Sequence, residues 1–300
     1  AASSRLDVVH VVGSRAWKIG LHTAASAGSH LAIDLLDAAD LDRIRPFENR
    51  AARHLGSDSR LIWLAPGQKI FEAATSRARS TRVFPAFWGT HTPEHPRPAP
   101  APDAPLSFAI ITTGTQTRNL IHLLDALKKF EHASSDPDVP KPLYFLDEHA
   151  LTRNHHAAEH AREIGINDQL SIVPSLEHNR RLAMQCDAIL LPDGNGQQRS
   201  IILDAMANAV SVIAAPDPLL SGLIIDGKSG FITQNNSADA WLSTLRRAFD
   251  PSQSTLTDIT SAAREFTRTE RSASTHIAAI AEAYEHLCGS KPIPFEANST

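Results

Sequence analysis

From residue 107 onward, short apolar runs and helix-length segments take turns along the chain, and this alternation limits the fold more than any other feature. Strand-like runs at 107–112, 143–146, 170–173, 187–191 and 210–214 are interleaved with helical segments at 119–131, 155–164, 178–185 and 200–208. Parallel strands cannot be joined by a tight hairpin and need a crossover, usually a helix, so the pattern predicts a parallel sheet wrapped by helices. Phe231-Ile-Thr reads as a further short strand after Gly230. Segments 238–249 and 258–287 read as helices, the last broken near Thr267.

The first ninety residues carry a shorter version of the same order. Leu6 to Val12 (LDVVHVV) is a β-branched run closed by Gly13 and Ser14, as for a buried strand entering a loop, and Leu31 to Leu36 reads as the next strand. Leu41, Ile44, Phe47 and Ala51 recur at helical spacing over 41–55. Strand 61–64, helix 69–78 and strand 82–85 follow. Between Thr90 and Pro105 the chain is dense in proline, which sustains neither helix nor central strand and reads as a linker. Three hundred residues, 42% of them apolar, suit two domains of about 100–200 residues, each with its own core.

Composition removes several function classes. A formal net charge of −4, from 29 basic and 33 acidic residues spread along the chain, leaves no electrostatic footprint for nucleic acid or an anionic membrane. The longest apolar stretch, Ala205 to Ala215, ends at Pro216-Asp217, short of the roughly 18 residues a spanning helix needs, so no transmembrane segment is expected. Two distant cysteines, Cys186 and Cys288, fit a reducing compartment, and Ala1-Ala-Ser-Ser does not open a signal peptide. The expected location is the cytoplasm. His156 and His160 stand one helical turn apart beside His155, but a third ligand at suitable spacing is missing, so these histidines read as a solvated helix face and no metal site is expected. Neither sheet shows G-x-G-x-x-G after its first strand with an acid about 20 residues on, which argues against a dinucleotide oxidoreductase.

The stretch Cys186 to Gly230 (CDAILLPDGNGQQRSIILDAMANAVSVIAAPDPLLSGLIIDGKSG) runs from a strand ending in Pro to a glycine-containing loop. A helix with acidic-Ala-Met-Ala, a second strand and a D-G-x-x-G turn come next. In that order of features it resembles the group 1 (family 4-like) retaining glycosyltransferases of GT-B architecture. Ile110 to Ala126 is similar to the family's first C-domain strand, its glycine turn and the basic residue opening the next helix. LDVVHVV, the IDLLD strand, Glu48 and VFPAFWG resemble the later part of its N-terminal domain. The family's opening strand and glycine-rich loop have no counterpart, so the chain looks N-terminally truncated. The implied fold is α/β and GT-B-like, with two Rossmann-like parallel-sheet domains, the N-terminal one incomplete. Its expected bounds are 1–90 for the acceptor-side domain, 91–105 for the linker, 106–265 for the nucleotide-sugar domain, and 266–300 for a C-terminal helix and tail packing back toward the N-terminal domain.

The resemblance implies a donor site for a nucleotide-diphospho-sugar, with no further cofactor. It places Gly114, Thr115 and Arg118 at the glycine turn, where Arg118 neutralises the diphosphate leaving group. Val173 and Pro174 flank the base. The loop Gly196, Gln197, Gln198, Arg199 and Ser200 opens a helix whose amides face the diphosphate. Asp204 stands at the second acid of the family's E-x7-E pair, which holds the ribose hydroxyls. On their own residues, Arg118 also reads as a solvated first-turn side chain, and Asp204 as a surface or cap-region carboxylate. Three departures follow. Gly196 replaces the first acid, Gln197-Gln198 replaces Gly-Phe, and Leu36 occupies the family's histidine position near the transferred sugar, leaving the catalytic residues unassigned. His10 and His22 are the nearby candidates for that imidazole. The expected activity is hexosyl transfer to a glycan, lipid or protein acceptor. A divergent donor site or a second chain would supply the missing groups to an active transferase; the alternative is a catalytically inactive GT-B-fold binding or partner subunit.

Overall fold

The computed structural model describes residues 6–56, 60–79, 82–97, 104–133, 140–152, 155–194, 200–220, 222–249 and 255–289. The chain forms two compact units, one of residues 1–88 with 273–300 and the other of residues 89–272. The first unit holds strands β1 (Val8–Val12), β2 (His30–Asp34), β3 (Leu61–Leu64) and β4 (Arg82–Phe84), paired in parallel in the order β1-β2-β3-β4. Helices α1 (Trp17–Ala27), α2 (Ala38–Leu55) and α3 (Gln68–Arg77) make the crossovers. On one side Trp17, Phe47 and Trp63 meet with ring centroids 5.0–5.8 Å apart, and the Trp63 indole N–H donates to the buried Glu48 carboxylate at 3.2 Å. A C-terminal helix, α11 (Ala273–Cys288), packs Ala283 and Leu287 against Ala32, Ile62, Leu64 and Ala86.

Helix α1 escapes the apolar-period reading because its buried face is Trp17, Gly20, Leu21 and Ala24, two of them small. Gly20 is a packing requirement, since a Cβ there would lie 2.3 Å from Val11 Cγ1. Strand β2 stops at Asp34, two residues short of the expected Leu36, because the next turn belongs to the start of α2. Asp37 caps the helix by accepting from the Asp40 amide, and the Asp40 carboxylate reaches back to accept from the Leu36 N–H at 2.8 Å.

The second unit carries β5 (Ser107–Ile110), β6 (Leu143–Asp147), β7 (Leu170–Val173), β8 (Ala188–Leu191), β9 (Ser211–Ala214) and β10 (Phe231–Ile232). All pair in parallel, in the order β10-β9-β8-β5-β6-β7. The helices are α4 (Thr117–Ala133), α5 (Glu148–Thr152), α6 (His155–Glu163), α7 (Arg180–Ala183), α8 (Ser200–Ala207), α9 (Ala238–Ala248) and α10 (Thr255–Glu270). Phe108, Tyr144, Leu124, Leu127, Phe231 and Trp241 lie within one apolar core. The helix expected over 258–287 is two helices, and the break falls at Arg271-Ser272, not at Thr267. There the Thr90 N–H donates to Arg271 O at 2.8 Å, and Thr90 bridges Ser272 in parallel. A long-range backbone pairing of this kind leaves no local trace in the sequence.

Burial pushes the Asp40 carboxyl above its ordinary 3.8; the Leu36 N–H opposes this and the Asp37 charge adds to it. The fold therefore holds this proton more tightly than the unfolded chain does. The stability it contributes is present below 3.8 and is lost as pH rises through the raised value. Asp40→Asn, whose oxygen can still accept from Leu36, is expected to gain melting temperature relative to the parent chain as pH climbs from 3.5 to 7. Thermal melts across that range give the sign, and a constant difference would count against it.

Candidate functional site

The second sheet reverses its winding at one place. From β5 the chain adds β6 and β7 on one side, then crosses back to lay β8, β9 and β10 on the other, so β5 and β8 are neighbours whose following loops diverge. In open α/β sheets the crevice beyond the carboxyl ends of such a pair is where ligands gather.

One side chain fastens the two loops together. Asp193, two residues past β8, is buried and accepts from Thr112 Oγ1 at 2.8 Å, the Thr113 N–H at 2.6 Å and Thr113 Oγ1 at 2.9 Å. Gly114, at φ +69°, turns the β5 loop, and its N–H donates to Thr112 Oγ1 at 3.1 Å. Thr115 is exposed, with its hydroxyl 2.8 Å from that of Thr113. On the β8 side a Cβ on Gly194 would lie 2.6 Å from Pro216 O, so only glycine passes there. The Gly194 N–H donates to Gln116 Oε1 at 3.4 Å, and Asn236 Nδ2 donates to Pro192 O at 2.9 Å. The amino ends of α4 and α8 thus follow two loops held to each other.

Arg118, the second residue of α4, is exposed, and its guanidinium makes no ion pair or hydrogen bond with any described residue. A cation at a helix amino end is electrostatically disfavoured, which makes this guanidinium available to an incoming anion. Val173 and Pro174 lie at the end of β7, two strands from β5 and so about 10 Å away at the usual strand spacing. The buried Asp147 carboxylate accepts from the Leu176 N–H and fixes the turn that follows them. Gly196, Gln197, Gln198 and Arg199 lie outside the described residues.

Asp204 occupies the second turn of α8, and both of its oxygens are engaged. Oδ1 accepts from Thr90 Oγ1 at 2.5 Å, and Oδ2 is ion-paired with Arg180 Nη1. Arg180 Nη2 donates to Ser200 Oγ at 2.8 Å, so Arg180 reaches from the β7 side to the first two turns of α8. An open groove of about 470 Å3 borders this cluster, lined by Arg180, Asp204, Arg181, His95, Arg97 and Asn208 among others. The sequence reading missed Asp193, Thr112, Thr113, Thr90 and Arg180. Asp193 stands in the quoted loop, but the loop it joins depends on the strand order. Arg180 lies 24 positions before its partner, with no spacing rule to link them.

The remaining candidates fall elsewhere. Leu36, in the first unit, is half-buried and offers its backbone N–H to Asp40. His10 lies mid-strand in β1, its Nε2 3.3 Å from Asp34 Oδ2 and its Nδ1 2.6 Å from the Tyr284 hydroxyl, while His22 is exposed on α1. His160 Nε2 stands 2.6 Å from Asp125 Oδ1, and among the described residues no group of three or more His, Cys, Asp or Glu is placed to hold a metal ion. Burial pushes the Cys186 thiol up to about 12, leaving it protonated and packed as a small apolar group. Among the described residues no helix is long and apolar enough to cross a membrane.

No family model matches the chain. Over 96 residues it is 31% identical to D-inositol 3-phosphate glycosyltransferase from Mycolicibacterium gilvum (strain PYR-GCK), a match covering 31% of this chain and 22% of that protein's length. Its structure is similar to that of sucrose-phosphate synthase from Thermosynechococcus elongatus, with TM-score 0.76 and 11% identity over 96% of this chain and 75% of that one. It is also similar to Anabaena HepE in complex with UDP and glucose, with TM-score 0.68 and 16% identity over 92% of this chain and 77% of that one. The fold is α/β with two parallel-sheet domains, matching glycosyltransferase structures of the GT-B type.

Asp193→Ala removes the acceptor of three hydrogen bonds between the β5 and β8 loops. With a charged acceptor worth about 1.5–3 kcal/mol per bond, denaturant unfolding of this variant is expected to show a loss of at least that much. A loss under about 0.5 kcal/mol, the usual range for an unremarkable surface change, would mean the loops are held by something else.

Proposed function

We propose that the chain is a glycosyltransferase that binds a nucleotide-diphospho-sugar at the winding reversal of its second sheet and transfers the hexosyl group to an acceptor hydroxyl. The observation that carries this reading is the Asp193 cross-link, which joins the loops leading to α4 and α8, with Arg118 in the first turn of α4 and its guanidinium without a partner among the described residues. Two helix amino ends and a guanidinium suit a diphosphate. The fold supports it, since Anabaena HepE, of similar fold, was solved with UDP and glucose.

In this reading the bond from the anomeric carbon to the diphosphate oxygen breaks and a bond to the acceptor oxygen forms. The acceptor's proton leaves with the nucleoside diphosphate. Arg118 and the helix amino ends offset the charge that develops on the leaving group, the task a divalent cation performs in other transferases. Val173 and Pro174 border the base, and Asp204 receives the ribose. Retention at the anomeric carbon and membership of the group 1 enzymes are the reading that the motif order between Cys186 and Gly230 supports. The acceptor belongs to the glycans, lipids or proteins that carry a free hydroxyl.

Calorimetric titration with UDP, GDP and ADP, each with and without its hexose, tests the proposal. Saturable binding of one nucleotide, with turnover of its sugar conjugate, is expected. Arg118→Ala should weaken that binding by about 1.5–3 kcal/mol, the range for losing a charged hydrogen bond. Unchanged affinity removes Arg118 from the site. Binding without turnover leaves the second sheet as a binding module, the reading that Gly196 and Leu36 favour.

A further inference from the structure

The Arg180 guanidinium is held on three sides. Nη1 pairs with Asp204 Oδ2, Nη2 donates to Ser200 Oγ at 2.8 Å, and Nε donates to Glu177 O at 3.2 Å. A guanidinium has five N–H groups in a rigid fork, so two are left without a partner among the described residues. The side chain is 42% exposed and Asp204 20%, so both border open space. That space is the groove of about 470 Å3, within the size range of small-molecule sites.

The charges around the groove favour an anion. Among the described residues that line it Asp204 is the sole acid, and Arg180 already neutralises it. Arg97 is balanced by the buried Asp187 at 3.0 Å, whereas Arg181 has no partner among the described residues. Ser200, which Arg180 touches, is the first residue of α8, so the guanidinium sits where the helix dipole is already positive. A partly exposed ion pair contributes at most about 1 kcal/mol to stability, too little to account for a cation fixed there by three partners. A carboxylate has about four acceptor sites, and Asp204 uses two, so it keeps capacity for ribose hydroxyls while Arg180 stays in place.

We infer that Arg180 is a donor-site residue, contacting the diphosphate of the nucleotide with its two free N–H groups while it orients the Asp204 carboxylate toward the ribose. The inference rests on the donor reading above and extends it. It divides recognition between the two members of one ion pair, phosphate to Arg180 and ribose to Asp204. It also makes the pair, rather than Arg118 alone, the discriminator between a nucleoside diphosphate and a nucleoside.

The full chain, its Arg180→Ala and Arg180→Lys variants, and Asp204→Asn are titrated calorimetrically with UDP and with uridine; GDP with guanosine and ADP with adenosine serve as further probe pairs. Thermal melts establish that each variant is folded. Arg180→Ala is expected to weaken the nucleoside diphosphate about tenfold or more, with the nucleoside changed less than about threefold, and Arg180→Lys to recover part of the loss. Asp204→Asn is expected to weaken both ligands alike. Equal weakening of both ligands by Arg180→Ala would show that Arg180 only braces Asp204, and no change in either would remove it from the site. If the unaltered chain binds none of the three pairs, the donor reading itself fails, an outcome distinct from a chain that binds but ignores Arg180.

Discussion

A single carboxylate holds the working end of the second sheet together. Strands β5 and β8 are hydrogen-bonded along their length, but the chain leaves them in opposite directions around the sheet, and without a cross-link their loops would part. Asp193 prevents this by accepting from Thr112 and Thr113 in a buried setting, where an unmade bond would be costly. The close approach of Gly194 to Pro216 and the Asn236 contact to Pro192 extend the same junction toward β9 and α9. Where the amino ends of α4 and α8 lie, and what they can bind, depends on this junction.

The arginines associated with the first turns of α4 and α8 are held differently. Arg118, at the start of α4, has no side-chain partner among the described residues, while Arg180 is clamped by Asp204, Ser200 and Glu177. A free guanidinium loses side-chain entropy when it meets a ligand, whereas a clamped one has lost most of it on folding. The two arginines therefore suit different tasks, one adapting to the ligand and the other presenting a fixed pair of donors. Thr90 completes the arrangement. Its hydroxyl holds the other Asp204 oxygen, and its backbone is fastened to Arg271 and Ser272.

Much of both sheets was legible because their strands are short apolar runs separated by segments with helical period. Strands 61–64 and 170–173 occur at the expected residues, and most other elements differ by one to three positions at their ends. What escaped were features that only a neighbour explains. Helix α1 buries small residues against β1, so it lacks the large apolar period that announces a helix. The break between α10 and α11 is set by a strand-like pairing with Thr90, 182 positions away. Of the candidate site, the glycine turn and Arg118 could be read from the loop that opens α4. Arg180 could not, because its meaning comes from Asp204 on another helix.

The sequence by itself determined the fold class and the two-sheet division, because these follow from local period and from the need of parallel strands for crossovers. Only the tertiary structure decided which loops become neighbours. The order β10-β9-β8-β5-β6-β7 places residues 112–113 against residue 193, and the reach of the Arg180 side chain from α7 turns Asp204 from a lone acid into one half of an ion pair. Such contacts join positions about 20 to 80 apart, and distance along the chain carries no information about distance in space until the sheet has been assembled.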